Sequence, residues 1–130
     1  MKYITLVFIF GYLFIGCNDN EIEYAEVVVN KFYNKMEQKN YKAIDSLISF
    51  RFYQTTSNKD FIKILSEKNK EFGKLEKKSL GKYKLIKSFT DTVHLGYIVD
   101  YEKALSKESF TLIKENGNFK ILKYYINKEN

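Results

Sequence analysis

The sequence predicts an α+β fold, with N-terminal helices packed on a curled four-stranded antiparallel meander, a cone-like body that follows a cleaved signal peptide. Three observations predict it. Apolar residues recur at helical spacing in the first half of the chain and alternate after Gly73. Asn116-Gly117, a pair that tolerates positive φ, marks a tight hairpin near the end. An apolar leader stops at the single cysteine, Cys17.

The leader comes first. Lys2 supplies a positive start, and Tyr3 to Ile15 is an uncharged run of thirteen residues, apolar but for Thr5. That length fits the ~7–15-residue core of a secretory signal and falls short of the ~20 residues that cross a bilayer. Asn18, Asp19, Asn20 and Glu21 close off any extension. Gly16-Cys17 at the end of such a run resembles the bacterial lipobox, in which a small residue precedes the cysteine that receives lipid. Phe14 stands where that pattern usually has leucine, with Leu13 one place further back. The resemblance implies cleavage before Cys17 and acylation of it. Residues 1–16 are then a lipoprotein signal peptide, 17–21 a lipidated tether, and 22–127 a single α+β domain. Two or three acyl chains would hold the protein firmly, since one alone binds only marginally. With one cysteine, no disulfide can form within the chain.

Ile22, Ala25, Val29, Phe32 and Met36 are spaced three or four apart and make one helical face, with Asn18 or Asn20 as its cap. Gln38 to Asn40 ends it. A short second helix presents Tyr41, Ile44, Leu47 and Ile48. Phe50, Phe52 and Thr55 to Ser57 read as a short extended piece. Ser57 or Asn58 then caps a third helix with Phe61, Ile64, Leu65 and Phe72 on its face and Gly73 at its end.

Alternation follows. Tyr83, Leu85 and Phe89 alternate with Lys82, Lys84 and Ser88. Val93, Leu95, Tyr97, Val99 and Tyr101 alternate with His94, Gly96, Ile98, Asp100 and Glu102. Phe110 and Leu112, then Phe119, Ile121 and Tyr125, complete the set. A two-residue Asn116-Gly117 loop sets Leu112 opposite Ile121 and Lys114 opposite Phe119. A turn centred on Leu105-Ser106 sets Val99 opposite Leu112 and Tyr101 opposite Phe110. Both turns put the same apolar set on one side, which a one-residue slip would scatter.

The stretches DFIKILSEKNKEFGKLEKKSLGKY and TVHLGYIVDYEKALSKESFTLIKENGNFKILKYYI carry a family likeness. In order, helix, glycine, strand, tyrosine-rich strand and closing hairpin, the chain resembles the nuclear-transport-factor-two-like superfamily, the cystatin-like cone. More narrowly it is similar to small bacterial lipoproteins of unknown function on that fold. Phe119 stands where such proteins often have tryptophan. The superfamily holds isomerases, dehydratases, immunity proteins and plain binding modules, so the fold does not choose among them.

The residues narrow the functions. His94 is the only histidine and no carboxylate cluster has ligand spacing, so no metal or other cofactor is expected. A His94/Asp100 general base is disfavoured by parity, because both face away from Val93 and Leu95. Lysine is abundant, arginine is represented by Arg51 alone, and the net charge is +6. Such a bias, with plentiful Asn, Ile, Tyr and Phe, suggests an AT-rich genome. Nine lysines fall between Lys63 and Lys87, including Lys68. From these, Lys74, Lys77, Lys78, Lys82 and Lys84 form a candidate patch for an anionic partner, or a solvated face. Base readers favour arginine's planar fork, and an exported protein leaves the cytoplasm, so nucleic acid is not an expected partner. Tyr97, Tyr101 and Tyr125, with Tyr124, are candidate pocket-lining residues.

The expectation is therefore a lipoprotein of the bacterial cell envelope, held to the membrane through Cys17, on the outer membrane or cell surface rather than the inner membrane. Its body is a non-enzymatic module for an envelope protein or small ligand. An immunity or inhibitor lipoprotein, or an isomerase- or dehydratase-like pocket enzyme on a small apolar molecule, is the alternative. A closed apolar throat with an ionisable group inside would point to the enzyme; a throat plugged by Phe and Tyr rings would point to the module.

Overall fold

The first helix sets one wall of the structure, a computed structural model that describes residues 19–130; the expected signal peptide, Cys17 and the candidate cap Asn18 lie outside these residues. α1 spans Asp19–Glu37, so it takes in the last residues of the expected tether. Ala25, Val29, Phe32 and Met36 are fully buried, as their spacing predicts, and Tyr33 joins them. α2 (Tyr41–Ile44) runs into a 3-10 turn at Asp45–Leu47, and Ile44 and Ile48 enter the core.

The expected extended piece after Phe50 is instead a second 3-10 turn, Phe52–Gln54. Local hydrogen bonds outcompete extension there. The Arg51 amide donates to the Ser49 hydroxyl at 3.2 Å, and the Thr55 and Thr56 amides both donate to the Phe52 carbonyl. α3 covers Asn58–Phe72, and its Ser57 cap accepts from the Asp60 amide at 3.1 Å. Gly73 ends it at φ 78°, ψ −158°, a backbone state essentially reserved for glycine.

The buried stripe of α3 departs from the expected one. Phe61, Leu65, Lys68 and Phe72 are buried, whereas Ile64 is 46% exposed. The spacing 4, 3, 4 is helical; the surprise is that a lysine occupies it.

The sheet is the predicted four-stranded antiparallel meander in the order β1-β2-β3-β4, with β1 Leu75–Ile86, β2 Thr92–Tyr101, β3 Leu105–Glu115 and β4 Asn118–Glu129. Phe89 is not part of a strand; it lies in the β1–β2 turn and is fully exposed. The last hairpin has the expected register, Leu112 opposite Ile121 and Lys114 opposite Phe119, with Asn116 and Gly117 both at positive φ.

The middle hairpin is displaced from expectation. Its turn is centred on Glu102-Lys103, closed by the Tyr101 amide donating to the Ala104 carbonyl at 2.8 Å. Val99 therefore faces Ser106, and Leu95 faces Phe110. Moving the turn centre by three residues shifts every partner by six, an even number. Side-chain parity is kept, which is why the correct face emerged from the wrong turn.

Candidate functional site

At the centre of the cone α3 meets β3. Glu108 lies two residues before Phe110 and four before Leu112, so it shares their inward parity. Lys68 reaches it from α3, and the Lys68 Nζ to Glu108 Oε1 distance is 2.8 Å with both side chains buried. Three tyrosines surround the pair. Tyr33 donates its hydroxyl to Glu108 Oε1 at 2.8 Å, Tyr101 donates to Oε2 at 2.7 Å, and Tyr124 also donates to Oε1. Lys68 donates further to the hydroxyl oxygens of Tyr101 and Tyr124, at 2.5 and 2.7 Å.

The circuit is enclosed. An ammonium has three donors, and Glu108, Tyr101 and Tyr124 take all three. On the carboxylate, Lys68, Tyr33 and Tyr124 converge on Oε1 and Tyr101 alone reaches Oε2, so both oxygens are engaged. Aromatic rings pack the remaining space. Phe32 meets Phe110 edge-on at 5.4 Å, and Phe110 stacks on Tyr124 at 4.7 Å. Lys68 Nζ sits 4.7 Å from the Tyr101 ring centroid, a cation–π placement.

Burial sets the protonation behaviour. Loss of water pulls the Lys68 ammonium below the usual lysine value, and the Glu108 charge opposes that pull. Burial first, and Glu108 next, hold the Tyr33, Tyr101 and Tyr124 phenols well above the ordinary value. Burial, followed by Glu26, raises Tyr97 in the same sense. The Tyr97 hydroxyl is a buried polar group without a hydrogen-bond partner.

The expected pocket-lining tyrosines do not gather in one place. Tyr97 and Tyr101 point into the cone, whereas Tyr125 is 62% exposed on the outer face. A β-bulge explains this. Leu112 pairs with Ile121 but Thr111 pairs with Lys123, so Leu122 is an extra residue in β4. Parity flips beyond it: Tyr124 turns in and Tyr125 turns out. Tyr124 also floors a groove of about 720 Å³ between β4 and the start of α3, flanked by Phe52, Phe61 and Arg51.

The candidate lysines also divide. Lys77, Lys82 and Lys84 pair with Asp100, Gly96 and His94 and are exposed on the sheet's outer face, while Lys74 is exposed beside Gly73. Lys78 lies on the other parity, donates to Asn30 Oδ1 at 2.7 Å, and rests near the Tyr33 and Tyr97 rings. Lys68 leaves the charge run altogether for the core. His94 and Asp100 are exposed on the outer face, and His94 Nδ1 lies 3.0 Å from the Thr111 hydroxyl. With Lys82, Lys84, Ser109, Thr111 and Tyr125, His94 rims an outer-face hollow of about 760 Å³. Among the described residues no group of three His, Cys, Asp or Glu could hold a metal ion.

No family model matches the chain, and no curated protein matches it. Solved structures share its architecture, two of them as follows. One, provisionally named scytalone dehydratase, is from Novosphingobium aromaticivorans; it is 12% identical, with a TM-score of 0.57 over 87% of each chain. The other is provisionally named a dehydratase of the NTF2-like family, from Streptomyces avermitilis; it is 9% identical, with a TM-score of 0.60 over 88% of this chain and 99% of its own. The chain has the nuclear-transport-factor-two-like fold. In this example of that cone the interior is occupied by an ion pair and its tyrosines. Sequence reading missed Lys68 and Glu108, although each sits at a position whose spacing places it among buried neighbours.

Proposed function

We propose that the protein is a lipoprotein of the bacterial cell envelope, tethered through acylated Cys17, whose cone is a non-enzymatic binding module. The observation that carries the module reading is the enclosed circuit: Lys68 and Glu108 are both buried and bonded to each other and to three tyrosines. An ionisable group inside the cone meets one condition set for the enzyme, but a general acid or base must also reach a substrate proton, and this pair is shut in by aromatic rings, the condition set for the module. An open hollow lies on the outer face, lined by Lys82 and Lys84 with Gly96, Ser109 and Thr111. The small lining residues leave room for a partner's backbone or sugar, and the lysines favour an anionic one.

The test has two arms. Cys17→Ser should abolish incorporation of labelled fatty acid and release or trap the unprocessed chain; persistent labelling overturns the anchor. Replacing Lys82 and Lys84 with glutamine should weaken capture of anionic glycans or acidic envelope proteins at low salt more than at high salt; equal capture at both salts overturns the binding face.

A dehydratase- or isomerase-like enzyme is the second reading. The unpartnered Tyr97 hydroxyl favours it, as does Tyr124, which both lines the groove and bonds to the ion pair. It requires Tyr124 to swing aside, and it predicts that small apolar ketones raise the melting temperature of the wild type but not of Tyr97→Phe. The module reading predicts no such rise in either.

A further inference from the structure

The end of the cone where α1 begins gathers features that the module reading leaves unused. Glu21, in the first turn of α1, pairs with Lys114 at 3.1 Å. The Lys114 amide donates at 3.1 Å to the carbonyl of Asp91, which closes the β1–β2 turn. The Ser49 amide donates to the Ile121 carbonyl at 2.9 Å, and its hydroxyl donates to Glu115 beside the Asn116-Gly117 turn. The start of α1, two sheet turns and the 49–51 segment therefore share one end.

That end exposes aromatic side chains together with cations. Phe89 is fully exposed at the tip of the β1–β2 turn, Phe50 is 66% exposed and Ile86 37%. Lys87 and Arg51 beside them are exposed, Glu23 is exposed further along α1 and Asp91 is half-buried, while Glu21 and Glu115 are engaged by Lys114 and Ser49. One exposed aromatic is ordinary. Aromatic side chains grouped with cations have the composition of a membrane-interface contact. Covalent geometry adds a constraint. Cys17 is two residues from Asp19, and two steps of chain reach at most about 7 Å. A bilayer's headgroup layer is roughly 5–8 Å deep, so a lipid on Cys17 leaves α1 no room to stand off.

We propose that this end of the cone lies directly against the phospholipid surface, with Phe89 and Phe50 in the headgroup–acyl boundary and Arg51 and Lys87 among the phosphates. The inference rests on the anchoring at Cys17 proposed above. It fixes orientation: the far end, with the Glu102-Lys103 turn and Leu105, projects away from the bilayer and is the part free to meet other molecules.

The chain contains no tryptophan, so one introduced indole reports its own position. The full-length chain, purified from bacterial membranes, carries Phe89→Trp, Phe50→Trp or Leu105→Trp, and is reconstituted in anionic phospholipid vesicles with acyl chains brominated near the headgroup. Leu105 lies ten residues along β3 from Glu115, roughly 33 Å at the usual rise per residue. Emission from positions 89 and 50 should shift to the blue and be quenched by bromine, while position 105 shows neither effect. Emission at 89 and 50 as unquenched as at 105 overturns the proposal. Fatty-acid labelling of the same samples reads the anchor separately. Labelled protein with unquenched emission at 89 removes the orientation and keeps the anchor; unlabelled protein with quenched emission removes the anchor and keeps the apposed end.

Discussion

Replacing Glu108 with glutamine keeps the shape of the side chain and removes its charge. Lys68 then remains in the core as an ammonium without a counter-charge, since its other polar contacts are the neutral Tyr101 and Tyr124 hydroxyls and the Met36 sulfur. Removing one partner of a buried pair costs about 3–5 kcal/mol. That is a large part of the ~5–15 kcal/mol by which domains are stable. With a urea slope of about 1.5 kcal/mol per molar, the unfolding midpoint should fall by roughly 2–3 M. Lys68→Met together with Glu108→Gln removes the stranded charge, and the double variant should regain at least half of the loss. The assay is urea unfolding followed by circular dichroism on wild type, both singles and the double, read as a thermodynamic cycle. A midpoint shift below about 0.5 M for Glu108→Gln, or a double variant that loses the sum of the singles, refutes the enclosed pair.

Further expectations concern pH, backbone and the bulge. Tyr33, Tyr97, Tyr101 and Tyr124 keep their protons in the fold at pH values where the unfolded chain loses them, near ~10. Their stabilisation is present below that pH and lost above it, at up to about 5 kcal/mol per pH unit for four groups. Lys68, shifted down, acts in the opposite sense just below pH ~10.4, as one group against four. The tyrosinate absorbance of these four, as distinct from that of exposed tyrosines such as Tyr24, Tyr83 and Tyr125, should therefore appear together with loss of circular dichroism within about two pH units above 10; the full tyrosinate signal reached in a still-folded chain would contradict this. Gly73→Ala should cost about 1–3 kcal/mol from its backbone state plus crowding, because a Cβ there meets Glu102 Cβ at 3.1 Å, whereas Gly117→Ala has open space and should cost less. Thermal unfolding of the two variants checks that order. Tyr124→Phe should cost about 1–3 kcal/mol by removing a donor to Glu108 and an acceptor for Lys68. Tyr125→Phe, on the outer face, should stay within about 0.5 kcal/mol of wild type; equal effects would mean that Leu122 does not shift the register.

What the sequence reveals and hides follows from how each feature is encoded. α1, α3 and the final hairpin are local: a spacing of three and four, a serine cap, and Asn116-Gly117 each act within a few residues. Parity of β2 and β3 survived a misplaced turn because the displacement was even. The bulge at Leu122 did not survive such reasoning, because one extra residue leaves no hydrophobic mark of its own, yet it exchanges Tyr124 for Tyr125. Phe52–Gln54 read as extended because its aromatic side chains hide the hydrogen bonds of Ser49 and Thr55 that curl it. Lys68 and Glu108 were hardest to place. Charged residues are almost never buried unless paired, and the partner here is 40 residues away on another element. The legible signal was positional: Lys68 continues the stripe of Phe61 and Leu65, and Glu108 shares the parity of Phe110 and Leu112.

The claim on which the functional reading depends is that the cone is closed around a charged lysine. Nitrogen-15 NMR of the lysine side-chain ammonium groups tests it directly, because exposed ammonium protons exchange with water too fast to be seen while enclosed ones do not. The structure predicts one slowly exchanging ammonium at neutral pH, absent in Lys68→Met and weakened in Tyr124→Phe. A spectrum in which every lysine ammonium exchanges rapidly would mean that water reaches the interior, and the sealed module would give way to an open pocket.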